Sequence, residues 1–138
     1  MLNHSDLKFE FARNWCGYEI WELKDESGQF LGDVDVKKTD DFFAIYNLHS
    51  SISNQGYGTY MYEKIKKQAI EKGCKWLIGE WTLINEGNKH FLDKLMKKES
   101  FKEMLDDDER KLGITFPNKP CIIKELIHPT NNTREATP

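Results

Sequence analysis

The chain has 138 residues, 38% of them hydrophobic and 31% charged, and a formal net charge of −3. That is one ordinary domain with enough apolar side chain for a core, and the mixture argues against a disordered chain. Mild acidity argues against a nucleic-acid binder, which needs a clustered basic face, and is compatible with a cationic partner.

The first residues, "MLNHSDLKFEFARNW", lack the apolar core of a signal peptide, and no apolar run is long enough to span a bilayer. The expectation is a cytoplasmic protein that does not engage a membrane. Cys16, Cys74 and Cys121 are an odd, scattered set, read as reduced packing cysteines rather than as a disulfide framework or a zinc site. No metal is expected.

"YEIWELKDESGQFLGDVDVKK" predicts two strands around "DESGQ", with polar and apolar residues alternating through "LGDVDVK". Asp33 and Asp35 then fall on a solvated strand face, which is also a candidate lining for an acceptor pocket. "DFFAIYNLHSSIS" predicts a third strand ending in a serine-rich loop. Next come a glycine pair and a helix, in which Tyr57, Met61, Ile65 and Ala69 recur on one face and Gly73 supplies the stop. "KWLIGEWTL" reads as a strand buried on both faces. "NEGNKHFLDKLMKKES" reads as a second helix capped at Asn85, with Phe91, Leu92, Leu95 and Met96 inward. "FKEML" and "PCIIKELI" close the domain as two strands around "DDDERKLG", whose acidic run is expected to be a solvated loop. Residues 1–127 form the domain and 128–138 a loose tail. Trp15, Trp21, Trp76 and Trp81 are assigned to the core, and His49 to a hydrogen-bonded structural role ahead of a substrate contact.

A strand, a glycine turn and a helix entrance together make an anion site. Backbone N–H groups there lack partners, and the helix dipole adds positive charge. Met61 stands where a dinucleotide fingerprint needs its third glycine, and a Walker A ending is absent. Glu80 is the candidate general base. It interrupts an apolar strand, so burial would raise its pKa towards neutrality, where a base works best.

Two blocks resemble the GNAT family of acyl-CoA N-acyltransferases. "QGYGTY" is similar to that family's Q/R-x-x-G-x-G/A pattern. Gln55 and Gly58 match in one register, with Tyr60 replacing the last small residue; Gly56 and Gly58 match in another, which puts Ser53 at the Q/R position. "EWTLINEGNKHFL" is similar to the family's downstream block through Glu80, Asn85 and Phe91, with Asn88 in place of a small residue and Leu92 in place of a tyrosine.

The resemblance implies an α/β GNAT fold: a single mixed, mostly antiparallel sheet with a central βαβ unit, splayed fourth and fifth strands and a short N-terminal helical region. It implies acetyl-CoA as co-substrate. The pyrophosphate would lie on the backbone of Gln55, Gly56, Tyr57, Gly58, Thr59 and Tyr60, and the pantetheine beside Leu48, His49 and Ser50. Asn85 would reach the pantetheine from the opposite side, with Asn88 and Phe91 among the cofactor contacts. The implied activity is transfer of an acetyl group to a primary amine by direct attack. The acceptor would be a peptide N-terminus, a lysine or a small amine, and Glu80 falls where members acting on protein N-termini carry a glutamate base. With Leu92 at the usual tyrosine position, the acid is left to Tyr46, Tyr57 or water. The alternative is a degenerate GNAT domain that binds acyl-CoA or a protein partner without turnover. A homodimer is left open.

Overall fold

A computed structural model describes residues 6–51, 55–80, 89–116 and 121–126, with only the backbone of 89–92 described. The elements run β1 (Lys8–Trp15), β2 (Tyr18–Lys24), β3 (Phe30–Lys38), β4 (Phe42–Ser50), α1 (Tyr57–Lys72), β5 (Trp76–Gly79), α2 (Lys89–Lys97), β6 (Lys102–Glu103), α3 (Asp106–Leu112) and β7 (Ile122–Glu125). The strands form one seven-stranded sheet in the order β1-β2-β3-β4-β5-β7-β6. Every neighbouring pair is antiparallel except β4 and β5, which α1 joins as a parallel crossover. This is the expected mixed sheet with its central βαβ unit.

The two sheet faces are built differently. On one, Val34, Val36, Phe43 and Ile45 pack against Tyr62, Ile65 and Ala69 of α1 and Leu95 of α2. On the other, Phe42, Ala44 and Ile78 pack with Phe116, Cys121 and Ile123, flanked by Met104 and Leu112. The helix period placed the inward face of α1 correctly: Tyr57, Met61, Ile65 and Ala69 are all buried, with Tyr62 beside them. Gly73 ends the helix in the left-handed region at φ 89°, and Cys74 N–H donates to the Ala69 carbonyl at 3.0 Å, the pattern of a Schellman stop.

Several local expectations change. From Lys8 onward the N-terminal region, expected to be a short helical stretch, is an additional strand. "KFEFARNW" carries the strand alternation in its first half, and Cys16 (φ 49°) and Gly17 (φ 85°) turn it directly into β2. Cys16 is therefore exposed in a turn, whereas Cys74 and Cys121 are buried as expected. Trp15 is 51% exposed rather than core, and Met96 lies outward while Leu95 is fully buried. Trp21 and Trp76 are partly buried against the two clusters; Trp81 and Asn85 lie outside the described residues.

The acidic run is the helix α3, not a solvated loop. Four acids in its first turn suit the positive end of the helix dipole, and Arg110 and Lys111 suit the other. Asp108 accepts the Leu105 N–H at 2.8 Å, and buried Glu109 accepts the Phe116 N–H at 2.9 Å. Among the described residues, no helix is long and apolar enough to cross a membrane.

One carboxylate clamps three elements together. Glu99, just beyond α2, accepts from Tyr62 Oη at 3.0 Å, Lys66 Nζ at 2.9 Å and Lys124 Nζ at 3.2 Å, tying α1 and β7 to that helix. Burial alone would raise its pKa, but the bonds from Lys66, Lys124 and Tyr62 outweigh burial and hold it down to about 2. A carboxyl whose folded pKa is depressed stabilises the fold above its ordinary value and loses that contribution as pH falls through the folded one. Urea unfolding should therefore show stability falling as pH drops from 4.5 towards 2. Glu99→Gln should flatten that acid limb and cost about 2 kcal/mol at neutral pH. Superimposable acid limbs for variant and wild type would contradict the clamp.

Candidate active site

The site begins at the last described rung between β4 and β5. Their register runs from Phe42↔Trp76 to Ile45↔Gly79, and the Glu80 N–H adds one last bond to the Ile45 carbonyl at 2.9 Å. β4 continues to Ser50 with β3 as its partner, through Asp35↔Asn47, Val34↔Leu48, Asp33↔His49 and Gly32↔Ser50. Among the described residues, that last stretch of β4 pairs on one side only. The register slips at the same place: Val36 faces Ile45 but Asp35 faces Asn47, so Tyr46 is an extra residue and β4 carries a bulge.

Gly32 holds this end of β4 close to β3. A Cβ there would lie 2.4 Å from the His49 carbonyl oxygen and 2.9 Å from the Met61 methyl. The two glycines at the entrance to α1 serve different needs. Gly56 is the cap residue, at φ 80°, with nothing within 4 Å of a Cβ, so its requirement is conformational. Gly58 is helical, and a Cβ would sit 3.3 Å from Leu48 Cδ2, so its requirement is close packing of α1 on β4.

The first turn of α1 has no side-chain cap and no acidic residue, and the Tyr60 N–H donates to the Gly56 carbonyl at 3.0 Å. Lys94 of α2 instead places its ammonium 3.4 Å from Thr59 Oγ1. A cation at the positive end of a helix is electrostatically unfavourable by itself and suits an anion bound between the two.

Glu80 follows β5 and is 4% exposed. Its side chain lies on the sheet face opposite α1, where Tyr18 Oη approaches Oε1 at 2.9 Å and Oε2 at 2.8 Å. The Tyr18 ring packs on Tyr46, with centroids 5.1 Å apart, and Lys37 Nζ lies 5.2 Å from its centre. Burial pushes the Glu80 carboxyl up, while the Tyr18 hydroxyl and the Lys37 ammonium pull it part of the way back. Burial and the adjacent carboxylate push Tyr18 up as well, so its hydroxyl stays protonated as the donor. Asp33 and Asp35 are half-buried on the same face. Burial raises both, and with Asp33 nearby Asp35 is pushed up to about 6.

No protein-family model matches the sequence, and no curated protein sequence matches it. Solved structures do match the fold. A GNAT family acetyltransferase from Elizabethkingia anophelis, with acetyl-CoA bound, superposes with a TM-score of 0.61 at 12% identity, over 88% of this chain and 99% of that one. Tetrahymena GCN5 gives a TM-score of 0.59 at 13% identity, over 82% of this chain and 71% of that one. PaiA N-acetyltransferase from Thermoplasma acidophilum, in complex with coenzyme A, gives 0.55 at 12% identity, over 78% of this chain and 60% of that one. The chain has the GNAT fold.

On this GNAT scaffold the expected residues fall into three groups. Leu48, His49 and Ser50 end β4, and Gln55, Gly56, Tyr57, Gly58, Thr59 and Tyr60 form the entrance to α1, with Leu48 packing against the cluster that holds Tyr57 and Met61. Glu80 sits at the last described rung shared by β4 and β5. Asn85 and Asn88 lie outside the described residues, as do the side chains of Phe91 and Leu92. His49 is exposed and faces Asp33 across the β3–β4 ladder. Tyr18, Lys37, Gly32 and Lys94 were not legible as site residues. Each acts across the sheet or between helices, and no local motif marks them; Tyr18 lies 62 residues from Glu80 in the chain.

Gly32→Ala forces β3 and β4 apart beside His49. It should cost about 1–3 kcal/mol of stability by overpacking and shift the amide resonances of His49 and Ser50. An alanine variant with native stability and an unchanged amide spectrum would rule out the close approach.

Proposed function

We propose that the chain is an acetyl-CoA-dependent N-acetyltransferase that moves an acetyl group to a primary amine by direct attack. The observation that carries the reading is Glu80: a carboxylate 4% exposed, fixed at the last described rung between β4 and β5, on a fold shared with acetyltransferases.

The residues present fit the co-substrate. The uncapped first turn of α1 offers backbone N–H groups, free of any acidic side chain, to a diphosphate, and Lys94 adds a positive charge. Gln55 through Thr59 supply that cradle, with Gly56 turning the chain, while the Tyr60 N–H is spent on the Gly56 carbonyl. The edge of β4 at Leu48–Ser50 offers backbone groups to the amide-bearing pantetheine arm as an added strand would. Acetyl-CoA, when bound, supplies the acetyl group as a thioester.

Glu80 takes the proton released as the amine nitrogen bonds to the acyl carbon and the carbon–sulfur bond breaks. The backbone near Ser50 donates to the acyl oxygen, and a proton from water or Tyr46 restores the departing thiol. Much of the rate in such a scheme comes from holding the two reactants together. Asp33 and Asp35, half-buried on the face that carries Glu80, favour a cationic acceptor: a lysine, a peptide N-terminus or a small amine.

The second reading, acyl-CoA binding without turnover, is favoured by Leu92 at the position of the family's tyrosine. Calorimetry with coenzyme A and acetyl-CoA consumption over an amine panel separate the two. Glu80→Gln should lower kcat by at least about a hundredfold and leave coenzyme A affinity intact. Binding without turnover in the wild type would support the second reading, and no binding at all would refute both.

A further inference from the structure

The acyltransfer reading leaves open what aims the base. Glu80 has a fixed backbone, since its N–H is bonded to Ile45, but a glutamate side chain has three rotatable bonds and needs its own constraint. The structure provides one from the far side of the sheet. We propose that Tyr18 is the positioning residue of this site, its hydroxyl holding the Glu80 carboxylate in the orientation from which it accepts the amine proton. The proposal rests on the acyltransfer reading.

The geometry is specific. Tyr18 Oη is 2.9 Å from Oε1 and 2.8 Å from Oε2, so it sits close to the bisector of the carboxylate. A carboxylate accepts about four hydrogen bonds, so one shared phenol proton leaves the outward lone pairs of both oxygens for an amine or a relaying water.

The ring itself is held in place. Tyr18 is the first residue of β2, placed by the two-residue turn at Cys16 and Gly17, both with positive φ. Tyr46, the extra residue of the β4 bulge, packs against the ring, and Lys37 of β3 lies over it. One carboxylate after β5 is thus oriented by residues from β2, β3 and β4. Among the described residues, the charged and titratable groups facing this pair are Lys37, Tyr46 and Cys121, the last just ahead of β7 and felt by the Tyr18 hydroxyl.

Among the described residues, Tyr18 is the only side chain that donates to Glu80. Burial favours the neutral acid and the phenol favours the carboxylate, so losing the hydroxyl raises the pH at which the base becomes active. A residue that merely filled space would not move that pH.

Tyr18→Phe keeps the ring, its packing on Tyr46 and its contact with Lys37, and removes the single O–H. The acid limb of kcat/KM for the amine should move up by about one pH unit, with kcat lowered and KM for acetyl-CoA unchanged. A carbon-13 titration of the Glu80 carboxyl, which needs a folded protein but no activity, should move upward by the same amount. An active wild type whose rate profile and carboxyl titration both coincide with those of the variant overturns the role of Tyr18 alone. A wild type that turns over no amine overturns the acyltransfer reading, and the role of Tyr18 with it, whatever the carboxyl titration shows.

Discussion

Tyr46 is one residue more than the β3–β4 ladder can pair. Because it bulges, Ile45 and Leu48, three positions apart, both point into the α1 side of the core, which an uninterrupted strand does not allow. Tyr46 itself turns to the other face and packs on Tyr18. Among the described residues the parallel pairing with β5 runs up to the adjacent Ile45–Gly79 rung, so the slip in register sits beside the last described rung of the central strands. The proposed chemistry depends on that coincidence. Among the described residues it leaves a length of β4 backbone paired with β3 alone and puts a buried carboxylate beside it.

The three glycines around this point have different causes. Gly56 is required because the chain enters α1 through the left-handed region, Gly58 because α1 rides on Leu48, and Gly32 because β3 presses on the β4 backbone. In sequence, the Gly56–Gly58 pair reads as a single clearing for a ligand. In three dimensions one glycine turns the chain, the other seats the helix, and the clearing is the uncapped first turn that results.

Much of the fold was legible because it rests on local periodicity. Alternation placed β2 and β3, the helix period placed α1, and an unbroken apolar run placed β5. Glu80 was legible for the same reason, since a carboxylate at the end of a buried strand is conspicuous. The acidic run of α3 was misread because charge was weighed and order was not: acids before Arg110 and Lys111, with Gly113 after them, is a helix with its dipole satisfied. β1 was missed because its alternation is short and breaks at the bulge between Phe11 and Arg13. Tyr18, Lys37 and Lys94 were beyond reach because sheet order and helix packing bring them to the site, and neither is written in a local pattern.

The central claim is that coenzyme A docks on the entrance of α1 and the one-sided end of β4. A nitrogen-15 amide titration of the folded chain with coenzyme A tests it most directly. The account predicts that the largest shifts fall on Gly56–Thr59 and Leu48–Ser50, with α3 and the β1–β2 turn unmoved. Shifts centred elsewhere, or none at saturating ligand, would contradict it.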